Sequence, residues 1–145
     1  MKIKDLMIKP VFISSNATKK DLIRIARKHP QTMIFIVVNK NKNFLGDIHE
    51  NDLFVMLMPN EMYDDLGVEV GFDFEKKFFA KYARELMRKH DIVCYVDDDV
   101  SNIGLKFSQA EVNEMPVLNK KKQVVGVITQ GILLRHMNVT KSIKS

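Results

Sequence analysis

The chain is predicted to be an α/β protein in which one strand–helix–strand–strand–helix unit is written twice. Three observations carry that expectation. Laying residue n over residue n + 80 gives an ungapped match through the end of each half, with IVVNKNKNFLGDI (36–48) falling on PVLNKKKQVVGVI (116–128). In both copies an apolar run, a polar Asn/Lys turn and a second apolar run around a Gly describe a β-hairpin. A segment of helical periodicity precedes each hairpin and a shorter one follows it.

Taken in order, the first copy begins with IKDLM (3–7), and the strand Val11–Ile13 follows. Asn16 or Thr18 can cap KKDLIRIARKH, whose Leu22, Ile25 and Ala26 form an apolar stripe, and Pro30 ends that helix. Ile34–Val38 and Phe44–Ile48 are the hairpin strands, and ENDLFVMLM is a closing helix stopped by Pro59. The second copy repeats the order with ARELM (83–87), the strand Ile92–Val96, and VSNIGLKFS capped by Asp98 or Asp99. Val100, Ile103 and Phe107 share one side of this helix, and Gly104 weakens it by roughly 1 kcal/mol relative to Ala. Met115–Leu118, Val124–Ile128 and QGILLRHM complete the unit.

Between the copies, residues 60–90 are expected to lie outside both cores, and NEMYDDLGVEVGFDFE (60–75) reads as an acidic linker. KKFFAKYARELMRKH (76–90) reads as one amphipathic helix, with Phe78/Phe79, Tyr82/Ala83 and Leu86/Met87 along its apolar face. The expected divisions are therefore 1–58 for the first repeat, 59–82 for the linker and the start of the helix, 83–138 for the second repeat, and 139–145 for a tail.

Composition sets the class. The chain has 145 residues, 46% hydrophobic and 28% charged, which is ordinary for a globular protein large enough to bury a core. No apolar run approaches the ~20 residues that span a bilayer, and the N-terminus lacks a signal-like apolar region. A cytoplasmic protein without membrane attachment is expected. The one cysteine, Cys94, excludes an intrachain disulfide and reads as a buried, inert thiol. Residues 1–75 hold 10 Lys/Arg against 11 Asp/Glu, and residues 76–145 hold 13 against 7. That excess raises nucleic acid as a third reading, but no helix-turn-helix partner precedes 76–90 and nucleic acid is not the expected ligand. Four histidines without ligand spacing predict no metal centre, DDD (97–99) reads as a capping turn, and no nucleophile elbow or phosphate loop points to an enzyme.

These residues together resemble a tandem pair of cystathionine β-synthase (CBS) domains, a Bateman module, over roughly 3–58 and 83–138. The family's h-x-D/E-h-M opening is matched by Ile3–Met7 and Ala83–Met87. Its h-P-V-h-D/N hairpin is matched by MPVLN (115–119) and, without the Pro, by FIVVN (35–39). Its G-h-h-T-x-x-D-h motif is similar to GDIHENDL (46–53) and GVITQGIL (126–133). The resemblance implies two βαββα repeats packed sheet to sheet with pseudo-two-fold symmetry, a linker helix between them, clefts that commonly bind adenine nucleotides, and association of two modules into a dimer.

The same resemblance points to Asp52, His49, Thr129, Gly46 and Gly126 as the nucleotide-binding set. A carboxylate such as Asp52 accepts hydrogen bonds from both ribose hydroxyls, and a hydroxyl at a helix start such as Thr129 donates to phosphate. Each copy holds half of the motif. His49 stands where the first hydroxyl would be, and its protonation below pH ~6.5 would favour phosphate. Ile132 stands where the second carboxylate would be, a loss of ~1.5–3 kcal/mol. Thr129 as a plain helix cap and Asp52 as a favourable first-turn charge remain alternatives.

The functional expectation is a stand-alone regulatory sensor, a homodimer without covalent cofactor. AMP, ADP, ATP or S-adenosylmethionine is its regulatory ligand, a conformational change its signal, and its protein partner is unknown. The alternative is a ligand-free interaction and dimerisation module with degenerate nucleotide sites.

Overall fold

The computed structural model describes residues 1–62 and 72–136. The acidic stretch 63–71 and the tail from 137 onward lie outside the described residues.

Two three-stranded sheets are present, one per repeat, and the element order β-α-β-β-α is the same in each. In the first, β1 (Phe12–Ser14) runs parallel to β2 (Ile34–Val38), which pairs antiparallel with β3 (Phe44–His49). Between β1 and β2 lies α1 (Lys19–Lys28), and α2 (Glu50–Met56) follows β3. Residues 72–90 add α3 (Phe72–Phe78) and the single turn α4 (Ala83–Leu86). The second sheet is built from β4 (Cys94–Tyr95), β5 (Glu114–Leu118) and β6 (Val124–Thr129) in the same pairing, with α5 (Val100–Ala110) and α6 (Gln130–Arg135) as its helices.

Local chemistry explains these boundaries. Thr18 caps α1 in a capping box: its Oγ accepts from Asp21 N–H at 3.4 Å, and Asp21 Oδ2 accepts from Thr18 N–H at 2.9 Å. Each hairpin turn is closed by an Asn. Asn39 Oδ1 accepts from the backbone N–H of Asn41 and Asn43, and Asn119 Oδ1 from Lys121 and Gln123. The turns place Lys42 and Lys122 at φ 66° and 62°, so the two copies share even their backbone exception. Ile13 pairs with Val37 and Cys94 with Val117, so the first copy is longer by one residue between strand and hairpin.

The repeat as a stretch of sequence and the folded unit are not the same thing. The chain forms one compact unit from residues 11–90 and another from residues 1–10 together with 91–145. The segment opening each copy therefore packs on the sheet of the other copy. Ile8 bridges to Val127 through two backbone hydrogen bonds of 2.9 Å, and Ile3 N–H goes to Asp98 C=O. Arg88 bridges to Asp47 in the equivalent way, with bonds of 3.0 and 2.8 Å. Ile3 accordingly belongs to the core of Cys94, Ile103, Phe107, Met115, Val117, Ile128 and Leu133. Ala80, Ala83 and Leu86 belong to that of Ile13, Leu22, Phe35, Val37, Ile48, Leu53 and Met56.

Residues 76–90 are not one helix. The helix ends at Phe78, and the chain extends so that Tyr82 bridges to Thr18, with Ala83 N–H on Ala17 C=O. Glu85 Oε1 then accepts from the backbone N–H of Lys81 and Tyr82 at 3.2 Å each, which starts the new turn at Ala83. Phe78 is buried while Phe79 is exposed, so the expected single apolar face does not exist. These residues also correct the expectation that 60–90 stands apart from both cores.

Candidate functional site

The strand β3 brings Gly46, Asp47 and His49 to the start of α2, where Asp52 lies one turn in. Gly46 is needed for the approach of the segment 86–90: a Cβ there would sit 2.6 Å from the Arg88 carbonyl oxygen. Gly126 has the corresponding role beside Met7, whose Sδ would be 2.5 Å from an added Cβ. Both motif glycines thus make room for a neighbouring segment, the Arg88 backbone at Gly46 and the Met7 side chain at Gly126.

Asp52 is 0% exposed, and its carboxylate is fully engaged. Arg88 meets it with two donors, Nε to Oδ2 at 3.1 Å and Nη2 to Oδ1 at 2.9 Å. Lys77 Nζ, carried in by the packing of α3 on α2, is 2.9 Å from Oδ1. The His49 N–H donates to Oδ2 at 3.0 Å, the backbone half of a cap. Burial pushes the Asp52 carboxyl up, but hydrogen bonds from Arg88 and Lys77 outweigh it and hold the group below its ordinary range.

Asp47 is the second buried carboxylate, at 2% exposure. His90 Nε2 is 2.6 Å from its Oδ2, and the Phe44 ring meets the His90 ring edge-on at 5.3 Å. His49 Nε2 lies 3.3 Å from Oδ1, an oxygen shielded from solvent. Burial raises Asp47 as well, and the two imidazoles pull it below the usual carboxylate value.

The second copy is apolar at the same places. Val127 stands for Asp47, Ile132 for Asp52, Ile8 for Arg88 and Pro10 for His90. Thr129, half-buried, is the cap of α6: its Oγ1 accepts from Ile132 N–H at 3.1 Å, which leaves the hydroxyl hydrogen available to an acceptor. Sequence reasoning named Asp52, His49 and Thr129 but not Arg88, Lys77 and His90, which meet the two buried carboxylates. The one signal that could have found Arg88 is internal: it and Asp52 are charged together in one copy and apolar together in the other.

A chain with two such α/β units, each with a glycine-containing strand feeding a short helix, is a tandem-repeat α/β protein. It belongs to the CBS domain family, whose model matches residues 3–58 and 83–139. Among curated proteins it is 22% identical to the uncharacterised protein MJ1426 of Methanocaldococcus jannaschii over 151 aligned positions, covering 92% of this chain and 89% of that one. Among solved structures it is similar to CBSX2 of Arabidopsis thaliana in complex with AMP, with a TM-score of 0.73, 14% identity and 99% of each chain covered. It is also similar to the CBS domain pair of MJ0100 in complex with 5′-methylthioadenosine and S-adenosyl-L-methionine. That match has a TM-score of 0.69 and 21% identity, and covers 99% of this chain and 98% of that one. Among the described residues no helix is long and apolar enough to cross a membrane.

Proposed function

We propose that this CBS pair is a non-catalytic regulatory module that binds an adenosine-containing small molecule and signals through a change of conformation. The observation that carries the reading is the Asp52 carboxylate, ionised, buried and held by cations from other elements, at the position that corresponds to the Asp of the family motif. An anionic ligand group can take Arg88 and Lys77, and the carboxylate is then available to the ribose hydroxyls. His49 is the polar contact proposed beside it, with Gly46 admitting the Arg88 backbone; in the second repeat, Thr129 is proposed to offer its hydroxyl to a phosphate, next to Gly126. The ligands bound by CBSX2 and MJ0100, AMP in one and adenosyl compounds in the other, support the same class here. A ligand can shift two conformations only by binding one better, and exchange of Arg88 between Asp52 and a ligand supplies such a difference.

The test is a thermal-shift panel of ATP, ADP, AMP, S-adenosylmethionine and dinucleotides. A ligand at a hundred times its dissociation constant adds ~2.7 kcal/mol, several degrees for a chain of this size. Absence of binding by every compound at millimolar concentration would overturn the proposal.

A second reading, an interaction and dimerisation module, is favoured by one specific observation. Phe54 on α2 and Leu134 on α6 occupy equivalent places in the two repeats, and each is 65% exposed. Large apolar side chains repeated at matching exposed positions suit contact with a second copy of the chain. Sedimentation of Phe54→Asp with Leu134→Asp tests it: a dimer in the parent chain and a monomer in the variant is the expected result.

A further inference from the structure

We propose that Asp47 and His90 are positioning residues for the Asp52 site: their side-chain bond fixes residues 87–90 so that the Arg88 guanidinium is delivered to the Asp52 carboxylate. The inference concerns the site of the nucleotide reading, but it is tested on the chain without ligand, so the two can fail separately.

Asp47 and Asp52 are the two buried charged residues among the described ones. Asp47 occupies a place where the G-h-h-T-x-x-D-h motif has an apolar residue, and Val127 fills that place in the second copy. A buried carboxylate at an apolar place is costly unless it is paired. Its pairing runs to the segment that also reaches Asp52. The backbone N–H and C=O of Asp47 bond to the C=O and N–H of Arg88 at 3.0 and 2.8 Å. Two residues on, His90 Nε2 is 2.6 Å from Asp47 Oδ2. An ionised carboxylate only accepts, so Nε2 carries the donated hydrogen. Side chains two apart in an extended segment point the same way. Arg88 and His90 accordingly both turn onto the corner of β3 and α2, one to Asp52 and the other to Asp47, while Lys89 between them is exposed. His49 joins the two acids from β3: its N–H donates to Asp52 Oδ2 at 3.0 Å, and its Nε2 is 3.3 Å from Asp47 Oδ1.

The second copy separates the backbone link from the side-chain link. Ile8 and Val127 make the same bridge with two 2.9 Å bonds and no carboxylate. The bridge therefore does not need the Asp47 side chain, and the acid–imidazole bond adds something the bridge does not supply. What the first copy has in addition is a long side chain to aim. Arginine loses rotamer freedom when it holds a two-pronged geometry, and fixing the backbone on both sides of it narrows the directions from which it starts. Buried Leu86 fixes the upstream side and His90 the downstream one. Where His90 stands, the second copy has Pro10, whose ring fixes φ by itself.

The experiment is NMR on the ligand-free full chain, reading hydrogen exchange of the Arg88 Nε–H and acid titration of the Asp52 carboxyl carbon. It compares the parent with His90→Phe, His90→Gln and the double variant Asp47→Val/His90→Pro. Phenylalanine keeps a ring beside Phe44 but cannot donate, whereas glutamine can. The double variant copies the second repeat at both places and removes the buried charge together with its partner. In His90→Phe and in the double variant the Arg88 Nε–H should exchange about tenfold faster, the loss of roughly one charge-assisted hydrogen bond. The Asp52 carboxyl should move up towards its ordinary range in both. The backbone N–H groups of Asp47 and Arg88 should stay protected, and His90→Gln should match the parent on both readouts. Parent-like Arg88 exchange and Asp52 titration in His90→Phe or the double variant, even with a lowered melting temperature, would leave the pair a purely structural role and overturn the proposal. So would a glutamine that restores nothing phenylalanine loses.

Discussion

Arg88 and Asp52, 36 positions apart, form a two-pronged ion pair with the carboxylate fully buried and the guanidinium half-exposed. Removing one partner from such a pair strands a charge, whereas replacing both with apolar groups of similar bulk is often close to neutral. The second copy carries the apolar version, Ile8 and Ile132. Arg88→Ile alone is expected to lower stability by about 2–3 kcal/mol, and Asp52→Ile to recover part of that loss, since it also takes the carboxylate from Lys77. A double-mutant cycle by urea denaturation measures the coupling, and additive losses would mean that the pair is not a unit.

Asp52 and Asp47 both have carboxyls held below their ordinary value in the folded chain. The sign of the consequence is fixed by linkage: stability from each is fully present above the unfolded carboxyl value near pH ~4 and is lost as pH falls through the lower folded one. Asp52→Asn should therefore destabilise the chain at neutral pH and cost progressively less as pH falls below the unfolded carboxyl value, parent and variant converging only below the lower folded one. Thermal unfolding across that range checks it, and a constant difference at every pH would contradict the ionised pair.

The two motif glycines should respond differently to an added methyl group. At Gly46 the obstacle is the backbone oxygen of Arg88, which cannot move without breaking the bridge to Asp47; at Gly126 it is the side chain of Met7, which can turn away. Gly46→Ala is expected to cost about 1–3 kcal/mol and Gly126→Ala less. Melting temperatures of the two variants decide the order.

Cys94 is 0% exposed, and its Sγ lies 3.6 Å from the Pro116 carbonyl oxygen. Burial, with Asp98 nearby, pushes the thiol up to about 12. Since the thiolate is the reactive form, labelling by a thiol reagent at neutral pH should proceed only as fast as the unit opens. Mass spectrometry before and after urea shows this, and fast labelling of the folded chain would contradict the burial.

Much of this was legible because it is local. Thr18 with Asp21 and the Asn39 and Asn119 turns announce themselves within four residues of sequence. The sheet a segment joins is not a local property. IKDLM and ARELM look like the openings of their own copies, yet Ile8 pairs with Val127 and Arg88 with Asp47. The break after Phe78 was hidden for a related reason. Phe78, Tyr82 and Leu86 fall at helical spacing, and the stop signal is a capping glutamate, Glu85, serving a tyrosine rather than the usual Ser or Thr. For the site, the motif located Asp52 but could not show that Lys77 and Arg88, from distant segments, already hold it.

The unit formed by residues 11–90 is an insertion within the unit formed by residues 1–10 and 91–145. On the ribosome the inserted unit is finished first. Its host begins the chain but waits: Ile3 and Lys4 donate to Asp98 and Val96, which emerge some ninety positions later. Deleting the first ten residues should thus damage the C-terminal sheet and spare the N-terminal one. A fragment that respects the folded units is 11–90, whereas a cut placed between the two sequence repeats would remove from each sheet the segment that closes it.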